Sequence, residues 1–284
     1  MVRALEALAK QTLPKSDYEV IVVVDSCTDN SAKIAIYLTS NFPNFQVIEV
    51  SVRSPAKGRN AGARLAKGRY LAFTDDDCEP DPNWLINLLA AFEKEPEAVA
   101  IGGRTVTIAK ERTPLTHQIE HAGGTDCLPS CNIICCRKAF EKIGGFSEQF
   151  SFPRNEDTDL CWHLEVLGPL AYAPAALVIH PPRSETFKAK VRWVRYLESE
   201  FILAERNPRL YAERRRSPWY FIYWRVLVKS HLRAVKAAFG DLLKRHRPDH
   251  CLIRFALIAV HSGYLLYLLP RFRVAATAAI RGSR

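Results

Sequence analysis

YLAFTDDDCEPDPNWL, residues 70–85, decides how the rest of the chain is read. A short apolar run, Tyr70–Thr74, ends in three consecutive aspartates, Asp75, Asp76 and Asp77. Like charges about 4 Å apart repel by roughly 1 kcal/mol in water, and by more where the dielectric falls. The end of a buried strand tolerates such a run poorly unless a cation or a proton is shared. Side chains alternate along a strand, so Asp75 and Asp77 are expected to point together and Asp76 away. Two convergent carboxylates suit a hard divalent cation, Mg²⁺ or Mn²⁺, which keeps positions for phosphate oxygens. The alternative is a solvated acidic turn before the helix that Asp81 and Pro82 announce as N-cap and first residue.

Outward from this stretch, strands and helices alternate. Tyr18–Val24 and Phe45–Val50 read as β-branched strands, with a helix from about Asp29 between them. Lys57–Lys67 reads as a short helix closed by Gly68, and the helix after Asp81 runs to Lys94. Strands follow at Ala98–Val106 and Asn132–Cys136, then helices at Arg137–Ile143 and Glu156–Leu167, and a last strand, Ala171–Ile179, ending in His180. Alternation of this kind predicts an α/β fold with a mostly parallel sheet covered by helices. Ligands bind such sheets outside the carboxyl ends of the strands, where Asp25, Asp75–Asp77 and His180 fall.

Beyond Pro182 the pattern changes to helices rich in Arg, Trp and Tyr. Residues 1–182 hold 18 Lys/Arg against 23 Asp/Glu, a net −5, and residues 183–284 hold 22 against 7, a net +15. We therefore expect two domains, 1–183 and 184–284, the second facing an anionic surface. Eight cysteines include the cluster CLPSCNIICC (127–136), whose spacing is not that of a zinc knuckle. Small buried side chains in a reducing compartment are the expectation. Met1–Gln11 reads as an amphipathic helix with Leu5 and Leu8 inward, without the long apolar core of a signal peptide.

Four motifs arrive in one order: YEVIVVVDSCTDNS (18–31), KGRNAGARLAKGRYLAFTDDD (57–77), FEKIGGFSEQFSFPRNEDTDLCWHL (140–164) and IHPP (179–182). Over residues 4–183 the chain thereby resembles the family 2 glycosyltransferases of the GT-A fold. The resemblance implies inverting sugar transfer from a nucleotide-diphosphate donor, with a UDP-sugar favoured. It implies that Asp25 contacts the base or ribose and that Arg59 and Asn60 lie near the nucleotide. Asp75 and Asp77 would be the ends of a DxD motif, Asp77 the direct metal ligand, with Asp76 beside the donor. Asp157 would be the general base, Glu156 would place the acceptor, His180 would complete the metal site, and Asn132 would lie near the acceptor. Each has a plainer reading. Acids in a first helical turn are favourable for dipole reasons alone. His180 could simply end a strand, Asn132 could be a buried turn amide, and Lys57 and Arg59 could only solubilise a helix.

Two departures qualify the resemblance. Relatives begin with a further apolar strand at the centre of the sheet, and its absence here predicts a gap between neighbouring strands. Polysaccharide synthases of the family carry Gln-x-x-Arg-Trp after the base. Here AKVRW (189–193) has Ala189 in place of the glutamine, which points to single-sugar transfer.

The basic tail interleaves Arg and Lys with Trp219, Tyr220, Phe221, Tyr223 and Trp224, a pattern suited to a membrane interface. Residues 251–270 are long enough to span a bilayer at about 20 residues, but a helix lying in the membrane or packed on the domain is preferred to a span, and a soluble helical cap is the plainer alternative. The expected partners are a nucleotide-sugar, a glycan or lipid-linked acceptor and an anionic membrane at its cytoplasmic face. Nucleic acid is not expected, because the front domain is acidic and no nucleic-acid motif is present. A sugar-phosphate nucleotidyltransferase and an inactive membrane-binding module are the competing readings.

Overall fold

The computed structural model describes residues 1–108, 113–123, 127–215 and 230–281, with the side chains of the last stretch described over 231–268. Trp219, Tyr220, Phe221, Tyr223 and Trp224 of the aromatic-basic segment lie outside the described residues. The chain divides into two compact units, Met1–Ala109 with Gln118–Pro182, and Lys110–His117 with Arg183–Arg284.

The first unit opens with helix α1, Val2–Ala9, which buries Ala4, Leu5 and Leu8 at the three- and four-residue spacing of one helical face. Strands β1, Val20–Asp25, and β2, Phe45–Val50, flank helix α2, Ser31–Thr39, and pair in parallel from Val20 opposite Phe45 to Asp25 opposite Val50. Helix α3, Pro55–Leu65, starts two residues before the sequence suggested. Ser54 caps it, accepting from the Lys57 amide, and proline is pre-set for the first turn. It ends on an extended Ala66 rather than on a left-handed Gly68.

Strand β3, Tyr70–Phe73, is followed by β4, Glu79–Pro80, and helix α4, Trp84–Lys94. Asp81 does not cap α4: its carboxylate accepts from the Asn83 amide, closing a turn one step earlier. Then come β5, Ala100–Val106; β6, Thr116–His117, in the second unit; β7, Ile133–Cys136; helices α5, Arg137–Lys142, and α6, Glu156–Glu165; and β8, Leu170–Ile179.

The larger sheet has the order β3-β7-β5-β8-β4. It is mixed rather than mostly parallel: β5 and β8 run parallel, whereas β3 with β7, β5 with β7 and β4 with β8 are antiparallel. Strands β4 and β7 are reached through loops, not helical crossovers, and so are free to pair antiparallel. Between β1 and β3, which belong to separate sheets, lies a cavity of about 960 Å³ lined by both strands and by α1, α3 and α4.

The core lies on both faces of the sheet. Trp84, Leu88, Ile101, Ile134 and Val178 fill one side, and Leu71, Ile133, Phe140, Phe146, Leu160 and Leu164 the other. Gly103 permits the closest approach: a Cβ there would stand 2.3 Å from the Ala176 carbonyl and 2.4 Å from Asn132 Oδ1.

In the second unit β6 pairs with β9, Arg183–Ser184. Helices α7, Phe187–Arg192, α8, Glu198–Arg206, and α9, Pro208–Arg215, follow, with a 3₁₀ turn over Trp193–Leu197. Trp193 stacks with Tyr196 and lies under Lys190. Two longer helices, α10, Ser230–Leu243, and α11, Pro248–Arg281, form a hairpin. Over Pro248–Leu268 the latter has a mean hydropathy of 1.6 across 21 residues, long enough to cross a membrane.

Candidate active site

The antiparallel pairing of β4 with β8 sets Glu79 opposite Ile179. Two residues before Glu79 and one after Ile179, Asp77 and His180 therefore meet, with His180 Nε2 3.9 Å from Asp77 Oδ1. His180 is buried, and its Nδ1 lies 3.0 Å from the Pro181 carbonyl. A carbonyl only accepts, so Nδ1 is the donor of that bond and Nε2 is the ring nitrogen that faces Asp77. Asp75, Asp77, Cys78 and His180 each bring a ligand atom to within 4.8 Å of the others.

Asp75 and Asp77 are half-buried and Asp76 is exposed, but not through strand alternation: β3 ends at Phe73, and a turn in which the Cys78 amide donates to the Asp75 carbonyl at 3.1 Å brings the two carboxylates together. Two carboxylates and an imidazole fit a divalent cation of the Mn²⁺ or Mg²⁺ type. The buried Cys78, a softer donor, packs in the core cluster behind them. The sequence reading missed Cys78, although its place directly after the aspartates was the available signal.

A second group of charges adjoins through Arg59, on α3. Its guanidinium donates to Asp75 Oδ1 at 2.7 Å and to Glu156 Oε1 at 3.1 Å, over the face of Phe146. Burial alone would favour the neutral form, but Asp75 and Glu156 together push its pKa upward, so Arg59 stays charged.

Glu156 and Asp157 open α6 directly after Asn155, which adopts the left-handed region at φ 66°. Glu156 is 3 % exposed, and its second oxygen, Oε2, is buried without a hydrogen-bond partner. Burial and then the Asp157 charge push Glu156 up to about 7, against the pull of Arg59. Burial also raises Asp157, partly offset by the Thr158 amide, 2.8 Å from its Oδ1, and by Arg59. Both carboxylates are thus held above their ordinary pKa, a condition suited to proton transfer.

Asp25 closes β1 and anchors the loop before α3. Its oxygens accept from the amides of Val52, Arg53 and Ser54 at 2.9, 2.9 and 3.0 Å, and from the Ser26 hydroxyl. Burial pushes its pKa up, but these donors outweigh it and hold the carboxylate below its ordinary value. Ser26 and Arg53 on either side have φ of 56° and 50°, unusual for residues with a side chain. Asp25, Arg59, Asp75 and Asp76 line one end of the cavity between β1 and β3.

Two expected site residues are held elsewhere. Asn60 is buried, its amide bracketing Phe146 by donating to the carbonyl and accepting from the N–H, both at 2.9 Å. This closes the Gly144–Gly145 turn, where both glycines have positive φ. Asn132 is fully buried: Oδ1 accepts from the Trp84 indole, and Nδ2 donates to the Arg104 and Ala176 carbonyls. With three of its four hydrogen-bonding positions taken by core groups, Asn132 ties α4, β5 and β8 together. The clustered cysteines are free thiols: Cys131 and Cys135 are buried, and Cys127 and Cys136 partly so. Cys127 is raised by its hydrogen bond with Cys161, and Cys131 by its bond with Cys78, which keeps both neutral.

The family described as Glycosyl transferase family 2 matches residues 1–163. Pre-mycofactocin glycosyltransferase of Mycobacterium tuberculosis is 31% identical over 172 residues, covering 55% of this chain and 36% of its own. Glycosyltransferase AglE of Haloferax volcanii is 37% identical over 84 residues, covering 29% of this chain and 28% of its own. The matched region thus spans about a third or less of these curated relatives. Among solved structures, mannosyltransferase PcManGT from Pyrobaculum calidifontis, in complex with GDP-Man and Mn²⁺, superposes with a TM-score of 0.62 at 17% identity, covering 93% of this chain and 82% of that one. TarS of Staphylococcus aureus superposes at 0.53 with 18% identity, over 92% of this chain and 52% of its own. With the family match covering more than half of the 284 residues and the sheet and acid cluster arranged as described, this chain belongs to glycosyltransferase family 2 and has the GT-A fold.

Proposed function

We propose that the chain transfers one sugar from a nucleotide-diphosphate donor, with a UDP-sugar favoured, to an acceptor hydroxyl with inversion. The observation that carries this reading is the Arg59 bridge, which joins the Asp75–Asp77–His180 corner to the Glu156–Asp157 pair. Such a bridge connects a place for a diphosphate with a place for a proton acceptor. Asp75, Asp77 and His180 would hold a divalent cation, which when bound neutralises charge developing on the leaving diphosphate.

Asp157, ionised, takes the proton of the attacking hydroxyl, and the unpartnered Oε2 of Glu156 orients that hydroxyl. Asp25 and Asp76 meet the nucleoside side of the donor, and Arg59 is the cation nearest the diphosphate. General-base assistance of this kind contributes about 10²–10⁴-fold. Ala189 in place of glutamine supports transfer of a single residue. The basic second unit supports work at the cytoplasmic membrane face, on a glycan or lipid-linked acceptor of the cell envelope.

The test is a donor panel with Mn²⁺ on the protein and on Asp157→Asn. We expect UDP binding to persist in the variant and turnover to fall about 10²–10⁴-fold. An Asp157→Asn protein with full transfer activity overturns the assignment.

A further inference from the structure

Helices α10 and α11 of the second unit bury charged and polar groups alongside Ala238, Cys251, Leu265 and Leu268, and leave an apolar strip exposed. Their polar groups face each other: Asp241, 1 % exposed, accepts from Arg254 at 2.6 Å and from Arg245 at 2.8 Å, and Ser262 lies 3.2 Å from His231. An apolar strip faces out. On α11, Leu252, Phe255, Ala256, Ala259, Gly263 and Leu266 are exposed at helical spacing, with the exposed Tyr267 at the end of the strip. Leu252 is 70 % exposed. On α10, Leu232, Phe239 and Leu243 form a matching stripe, and Phe239 meets Phe255 edge-on at 6.1 Å, which joins the two into one surface. A helix pair packing for solubility in water would place these side chains the other way round.

The charge bordering this surface is of one sign. Residues 230–268 hold six Lys/Arg and two Asp. Both acids are already taken, Asp241 as above and Asp249 by Arg247 at 3.1 Å. Arg233, Lys236 and Lys244 stand exposed beside the apolar stripe. An apolar strip edged by uncompensated cations complements an anionic lipid surface, with acyl chains under the strip and headgroups at its rim. Crossing the bilayer fits less well. Inserted as a pair, the hairpin would carry its basic turn at 244–247 through hydrocarbon, and the 14 residues of α10 reach only about 21 Å against a core of about 30 Å; a span by α11 alone would separate Arg254 from Asp241.

We propose that the α10–α11 hairpin is a membrane-docking surface that lies in the plane of an anionic bilayer. This deepens the membrane placement given above and rests on it only in choosing lipid as the partner. The test reads vesicle association without any sugar transfer, so its failure leaves the catalytic reading untouched.

The full chain is sedimented with phosphatidylcholine vesicles that contain phosphatidylglycerol, and with phosphatidylcholine vesicles alone. We expect binding to the anionic vesicles at least about tenfold stronger, weakening with salt and released by an alkaline carbonate wash. Leu252→Gln with Phe255→Gln should lower binding about tenfold or more, while the melting temperature falls only slightly through the lost Phe239–Phe255 contact. Arg233→Gln and Lys236→Gln should each cost about fivefold on anionic vesicles only. A wild-type chain that stays in the supernatant overturns the proposal, and so do Gln variants that bind like wild type. Protein that resists the carbonate wash spans the membrane instead. A concentration-dependent dimer abolished by the Leu252/Phe255 variant, with no vesicle binding, makes the strip an interface between copies.

Discussion

Glu156 shows how much free energy one side chain holds at the site. Its folded pKa of about 7 lies above its ordinary 4.5, so between those values the native state binds more protons than the unfolded chain. Stability from this group is therefore greatest below 4.5 and falls as pH rises toward 7, by at most about 3 kcal/mol. Glu156→Gln should remove that slope and raise the melting temperature of the metal-free protein at pH 8 relative to wild type, while lowering transfer activity. A variant that melts lower than wild type at pH 8 would show that the Arg59 bond outweighs the burial of the charge. Such residues were legible in the sequence as types in a motif, but their partners were not. Asn60 and Asn132 look from the chain like any amide near a ligand. That their hydrogen bonds go to Phe146 and to Trp84, Arg104 and Ala176 depends on contacts 28 to 86 residues apart, which no local pattern records.

At the level of elements, periodicity located every long strand and helix of the first unit, because alternation and 3.6-residue spacing are local properties. Strand β4 escaped, since a two-residue edge strand containing proline carries no periodic signal, yet it brings Asp77 to His180. Sheet direction escaped as well, because it is set by how loops return the chain. Gly103 illustrates the packing that follows. Gly103→Ala forces a Cβ against backbone at 2.3 Å, which cannot move as a side-chain tip can. It should destabilise the protein by about 2 kcal/mol or more, measured by urea denaturation. The expected gap beside β1 bears on exchange. Among the described residues β1 pairs only with β2, whereas β5 is paired on both sides. Amide exchange in Val20–Val24 should therefore be faster than in Ala100–Gly103.

For the whole molecule, the charge division was plain in the sequence, a net −5 before residue 183 and +15 after it. The exposed apolar strip of the α10–α11 hairpin was not, because exposure is a property of the packed pair and not of either helix. The catalytic reading makes its global prediction through ligand linkage. Anything that binds only the folded chain stabilises it by RT ln(1 + [L]/Kd), about 2.7 kcal/mol at a hundredfold excess over Kd. For a unit of this size that is a rise in melting temperature of roughly 5–10 °C. UDP with Mn²⁺ together should produce it, whereas UDP in the presence of a chelator should produce little, because the diphosphate is held through the cation. Asp77→Ala removes a half-buried carboxylate and should leave the melting temperature of the ligand-free chain almost unchanged while abolishing the response to UDP and Mn²⁺. A response that survives the substitution would place the diphosphate elsewhere. An equal response to GDP would show that Asp25 and the loop it anchors read the ribose rather than the base.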